Sequence, residues 1–71
     1  MKYSKQRETI RSAVEKTRQH PTADTVYEWV RKENPNISLA TVYRNLNGLA
    51  EHGVLRKIHV ATGADRFDGQ L

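Results

Sequence analysis

Residues 38–53, SLATVYRNLNGLAEHG, decide the fold. Leu39, Val42, Leu46 and Leu49 recur at helical spacing and gather on one side of a wheel drawn at about 100° per residue. Ser38 precedes them with a hydroxyl that can accept an otherwise unpaired backbone N–H. Gly53 follows with the freedom to take the left-handed conformation that commonly closes a helix. Away from the apolar stripe point Ala40, Arg44 and Glu51, flanked by Thr41, Asn47 and Gly48, with Tyr43 at the border. This outer face suits a helix lying in a DNA major groove. Arginine can donate twice to guanine O6 and N7, asparagine can pair with adenine N6 and N7, and an aromatic edge can touch a thymine methyl. Small residues such as Ala40 and Gly48 let the backbone approach closely. Any amphipathic helix has a polar outer face, however, so an ordinary solvated helix stays open until its neighbours are read.

Upstream, Thr22 caps a predicted helix over residues 23–33, with Ala23, Val26, Tyr27 and Val30 as its stripe and Trp29 on the flank. Asn34-Pro35-Asn36 supplies the turn into the quoted segment. Further upstream, Ser4 caps a predicted helix through residue 19, with Ile10, Ala13, Val14 and Thr17 on one face, and His20-Pro21 stops it. Downstream the period changes. Leu55–Val60 is short, partly alternating and β-branched; Ala61-Thr62-Gly63-Ala64 is a turn, and Asp65–Asp68 a returning strand. Ile58, Val60 and Phe67 are expected to fold back over the core as its lid. The expectation is a mainly α fold with a β-hairpin: a winged helix-turn-helix of three helices followed by a two-stranded wing. Arg56, Lys57, His59 and Arg66 would lie along phosphates, giving affinity with little sequence information. The alternative is an exposed ribbon whose charges protect its edges.

Composition narrows the function classes. Seventy-one residues make one small domain, and 37% hydrophobic with 28% charged residues places it among globular rather than disordered chains. Cysteine is absent, which excludes disulfides and thiolate metal sites within the chain and accords with a reducing compartment. No run approaches the roughly 18 apolar residues that span a bilayer, and MKYSKQRE has no apolar signal core, so a cytoplasmic location is expected. The net charge is +4, and the whole excess falls within residues 1–19. That favours a polyanionic partner, although a solvated helix face would carry similar charge. No carboxylate pair, nucleophile–base pair or phosphate loop occurs at useful spacing, and Glu8, Glu15 and Glu28 read as helix-surface acids, so no enzyme is expected. Gly69-Gln70-Leu71 ends without capping logic, as in a chain cut from something longer.

The series His20-Pro21-Thr22-Ala23-Asp24, Asn34-Pro35-Asn36-Ile37-Ser38, Ala40-Thr41-Val42-Tyr43-Arg44-Asn45-Leu46, Gly53-Val54-Leu55 and Arg66-Phe67-Asp68 closely resembles the N-terminal half of ferric-uptake-regulator repressors, from about Tyr3 to Asp68. The Ala-Thr-Val-Tyr-Arg-Asn-Leu block is the most specific part of the likeness. The resemblance implies a metal-responsive, homodimeric repressor that binds an A/T-rich palindromic operator in double-stranded DNA. It implies base contacts from Tyr43 and Arg44, and a minor-groove contact from Lys2. Thr41, Asn47, Arg56 and Lys57 complete the expected DNA-binding set. It further implies that His20 and Asp68 are ligands of a regulatory iron or manganese ion. Aspartate after Arg66-Phe67 resembles the peroxide-sensing branch, whereas Arg44 also suits the iron-uptake branch. Family members carry a C-terminal dimerisation domain with further ligands and often a four-cysteine structural zinc site, and neither is present here. Two ligands fall short of the four or more that regulatory transition-metal sites use, so no metal is expected to bind stably to this chain alone. A winged-helix module for protein interaction or for RNA binding is the alternative reading.

Overall fold

The computed structural model describes residues 4–69. Three helices precede a hairpin: α1 (Lys5–Glu15), α2 (Ala23–Val30), α3 (Leu39–Glu51), β1 (Arg56–Ile58) and β2 (Arg66–Asp68). This is the expected winged helix-turn-helix. Each helix begins at the hydroxyl residue the sequence nominates. Ser4 accepts from Arg7 N, Thr22 from Thr25 N and Ser38 from Thr41 N, and each cap residue is extended. Caps of this kind stabilise a helix by about 1 kcal/mol.

The helix ends differ from expectation, for local reasons. The first helix stops at Glu15 rather than residue 19. Thr17 N bonds only three residues back, to Val14 O, and the Thr17 hydroxyl accepts from Gln19 N at 3.1 Å. A side-chain-stabilised bend thus competes with the helix and wins. The second helix ends at Val30, where the Val30 carbonyl accepts from both Glu33 N and Asn34 N and turns the chain toward Asn34-Pro35-Asn36. The third ends at Glu51, with His52 as its C-cap and Gly53 at φ 75°. Gly53 N reaches Ala50 O at 3.1 Å, and Val54 N reaches Leu49 O at 2.9 Å. This reciprocal pair is the Schellman closure that a left-handed residue permits.

Ile10 and Val14 from α1, Ala23, Val26 and Val30 from α2, and Val42, Leu46 and Leu49 from α3 form one core with Ile37, Leu55 and Phe67. Two assignments from the helical stripe change. Leu39 is only half-buried, while Ile37, just before the cap, is buried. Ile37 and Val42 have the spacing of a hydrophobic staple, in which the residue before the cap packs with the first turn. The lid is made by Leu55 and Phe67, with Ile58 and Val60 half-buried.

The hairpin is antiparallel, with Arg56 opposite Asp68, Lys57 opposite Phe67 and Ile58 opposite Arg66. The loop between α1 and α2 lies along the free edge of β2. Phe67 N donates to Pro21 O at 2.9 Å, and Thr22 bridges Arg66. After β2 the backbone passes so close to α1 that a Cβ on Gly69 would stand 3.0 Å from Glu15 Cα. No helix among the described residues is long and apolar enough to cross a membrane.

Candidate nucleic-acid interface

The core-facing stripe of α3 fixes which residues the helix turns outward. Ala40, Tyr43 and Arg44 are exposed, and Thr41, Asn47 and Gly48 are half-buried beside them. Tyr43 sits further out than a border position. At 42% exposure it is the one large hydrophobic side chain left open among the described residues. Arg44 makes no hydrogen bond or ion pair among the described residues, so its guanidinium keeps all its donors for another molecule. The other polar side chains are partly spent. Ser38 donates to the Thr41 hydroxyl at 2.9 Å, and Asn45 Nδ2 donates to Thr41 O at 2.9 Å. The first turn of α3 holds no acid, so nothing offsets the positive end of the helix dipole there.

Lys57 ties the wing to this helix. Lys57 Nζ donates to Asn47 Oδ1 at 3.1 Å and lies 3.5 Å from Asp65 Oδ2. His59 Nδ1 is 2.8 Å from Asp65 Oδ1. The hydrogen bond from His59, and then Lys57, hold the Asp65 carboxyl below its ordinary range. Two of the hairpin's basic residues are therefore tied to one acid at its tip. His59, expected along phosphates, makes this contact with an exposed side chain.

Successive strand residues point to opposite faces, and Arg56 accordingly parts company with Lys57. Its Nη2 lies 3.4 Å from Asp68 Oδ2. Arg66 Nη1 donates to the His20 carbonyl at 3.0 Å. The residues singled out in the sequence thus fall into two groups. Thr41, Tyr43, Arg44, Asn47 and Lys57 share the α3 side, and His20, Asp68, Arg56 and Arg66 share the junction between the α1–α2 loop and the wing. Lys2 lies outside the described residues.

In the second group His20 Nε2 is 3.7 Å from Asp68 Oδ1, with the histidine side chain 43% and the aspartate 5% exposed. His20 has φ 52°, a region that non-glycine residues rarely enter and that stores backbone strain where the surroundings enforce it. The hydrogen bonds at His20 O and Pro21 O supply that enforcement. Two donors on one transition-metal ion lie roughly 3.0–3.5 Å apart, given bonds of about 2.1 Å. The pair therefore fits as two members of a mixed nitrogen–oxygen site after a small closure. Among the described residues no three or more histidine or acidic side chains come together as potential ligands.

A surface hollow lies between α1 and α2, beside Trp29, with no α3 residue in its lining. A smaller depression between α3 and the wing is lined by Asn47, Ala50, Glu51 and Lys57. Sequence reasoning missed the bond from Lys57 to Asn47 and the roles of Asp65 and Arg66. Nothing local marks them, since each depends on how the hairpin folds back.

Fold and site together define a winged helix-turn-helix module whose third helix turns Tyr43 and Arg44 outward. The sequence profile of the ferric uptake regulator family matches residues 1–71, and the chain belongs to that family. It is 43% identical over 68 residues to the ferric uptake regulation protein of Bacillus subtilis, covering 94% of this chain and 46% of that protein. To the peroxide-responsive repressor of Staphylococcus epidermidis it is 35% identical over 63 residues, covering 89% and 42%. The ferric uptake regulator of Helicobacter pylori, whose structure is described as having three functional metal-binding sites, superposes with a TM-score of 0.88. Identity there is 26%, over 96% of this chain and 45% of that one. The chain thus spans about half the length of the curated relatives it matches, 46% in the Bacillus case.

Proposed function

We propose that this chain is the DNA-reading domain of a metal-responsive transcriptional repressor. The observation that carries the reading is the outer face of α3, where Tyr43 stands exposed beside an uncommitted Arg44, on a capped helix with no acid in its first turn. Tyr43 and Arg44 make the base contacts, Thr41 and Asn47 flank them, and Lys57 sets the wing on the phosphates. Lys2 reaches the adjacent minor groove, where narrow A/T-rich sequence concentrates negative potential. The target is an A/T-rich palindrome, read by two copies whose recognition helices stand about one DNA turn apart.

In this reading the whole protein adds a C-terminal dimerisation and metal-binding domain, with a structural zinc site of its own. His20 and Asp68 supply two ligands to a regulatory iron or manganese ion, and the rest come from beyond this chain. The bound ion supplies a cross-link between domains. The His20 loop and β2, stitched together at Pro21 O and Phe67 N, transmit its position to the reading head. Likeness to both iron-uptake and peroxide-responsive relatives supports either signal.

The test is binding of a labelled A/T-rich palindromic duplex over a salt series, with duplex RNA as competitor. Losing a bidentate arginine–guanine contact costs about 1–3 kcal/mol, so Arg44→Ala weakens operator binding roughly 5- to 150-fold and relaxes discrimination at one base pair. Lys57→Ala weakens all duplexes alike and lowers the salt slope by about one. Equal binding by Arg44→Ala and the parent chain, or displacement by RNA as effective as by DNA, sinks the reading.

A further inference from the structure

The buried carboxylate of Asp68 has an imidazole on one side and a guanidinium on the other. His20 Nε2 approaches Oδ1 at 3.7 Å, and Arg56 Nη2 approaches Oδ2 at 3.4 Å. The arginine is not there by a chance rotamer. The hairpin register sets residue 56 directly opposite residue 68, and directly opposed side chains of an antiparallel pair share a face. A carboxylate that is only 4% exposed needs compensating charge or hydrogen bonds. Lys57, the next residue of β1, points to the opposite face, toward Asn47 and Asp65.

We propose that Arg56 is a resident counter-charge beside the His20–Asp68 pair, one that competes with a divalent ion for Asp68, so that Arg56 weakens the pair's hold on that ion. The inference rests on the reading of His20 and Asp68 as ligands given above. Its geometry supports easy displacement. The Arg56 side chain is 65% exposed, and its contact at 3.4 Å is long for a charge-assisted bond. Arg56 is thus a positioning and tuning residue of the ligand pair.

The experiment is a Mn2+ titration of the 71-residue chain, read by paramagnetic broadening of assigned backbone amide signals. This detects millimolar binding and needs no DNA. Broadening centred on residues 20 and 68 is expected, and Asp68→Asn abolishes it. With Arg56→Gln the midpoint falls to roughly 3- to 10-fold lower Mn2+, the scale of removing one nearby, largely solvated charge. Arg56→Lys, which keeps the charge, stays nearer to the parent chain. Arg56 is exposed, and undisturbed amide signals elsewhere confirm that each variant is folded. Equal midpoints for Arg56→Gln and the parent, with broadening still at residues 20 and 68, overturn the proposal and leave the ligand reading standing. Broadening that never centres on residues 20 and 68 removes the ligand pair, and this proposal with it.

Discussion

Replacing Gly53 by alanine isolates the backbone energy that closes α3. Gly53 has φ 75°, and a Cβ built on it meets nothing within 4 Å, so side-chain packing contributes neither gain nor clash. The left-handed conformation costs a residue with a Cβ about 1–2 kcal/mol. The stiffer unfolded chain of alanine offsets roughly 0.4–1 kcal/mol of this. The net loss is then about 1 kcal/mol, which in a domain of this size lowers Tm by roughly 4–8 °C. Far-ultraviolet circular dichroism melts of the parent, Gly53→Ala and Gly53→Asn provide the measurement. Asparagine tolerates the left-handed region better than alanine, so its melt falls between the other two. Amide exchange at Val54 and Leu55, which bond to Leu49 O, speeds up in the alanine variant before the rest of the core does. An alanine variant as stable as the parent, or an asparagine variant that loses as much as alanine, refutes the claim that φ alone sets the cost.

Three further outcomes follow from the same structure. Phe67→Ala empties a side chain that is 1% exposed and joins wing to core, at a cost of about 3–5 kcal/mol, so urea unfolding shows little or no native baseline. Gly69→Ala places a Cβ 2.7 Å from Glu15 Cγ and 3.0 Å from Glu15 Cα; backbone must shift, at about 1–3 kcal/mol, and amide shift changes concentrate at residues 15 and 69. The third outcome concerns acid. Because the folded Asp65 carboxyl is depressed, its contribution is present above the ordinary aspartate range and is lost as pH falls through its lowered value. Amide exchange in the 61–65 turn therefore accelerates below about pH 4, the ordinary aspartate value. Asp65→Asn removes that pH dependence; a turn equally protected at every acid pH contradicts the clamp.

Much of this molecule is written locally. Hydroxyl caps, apolar spacing and the glycine after α3 are each a few residues wide, so Ser4, Thr22, Ser38 and Gly53 could be placed from the sequence. The outward face of α3 was legible for the same reason, because it is whatever the apolar stripe does not use. Helix ends were less so, since the bend at Thr17 and the double acceptance at Val30 O are contests between similar local bonds. The wing's chemistry was largely hidden. Asn47 meets Lys57, Arg66 meets His20, and Arg56 meets Asp68 only after the hairpin has folded back and captured the α1–α2 loop. The strain at His20 was invisible too, because residues before proline favour extended backbone and the positive φ is imposed by β2.

One detail of the α3 exit bears on how such a head would select among duplexes. The Leu49 carbonyl accepts from Val54 N at 2.9 Å and from Leu55 N at 3.3 Å, and Leu55 is then buried in the core. Helix and hairpin leave this point as two arms of a bracket whose opening cannot be adjusted residue by residue. A duplex gripped by both arms must bring its groove floor and the neighbouring phosphate ridge to that fixed span. Base sequences differ in groove width and in how easily they bend or narrow. In the proposed DNA-reading role, such a bracket would turn differences in duplex stiffness into differences in binding, including at base pairs that no side chain of the head can touch.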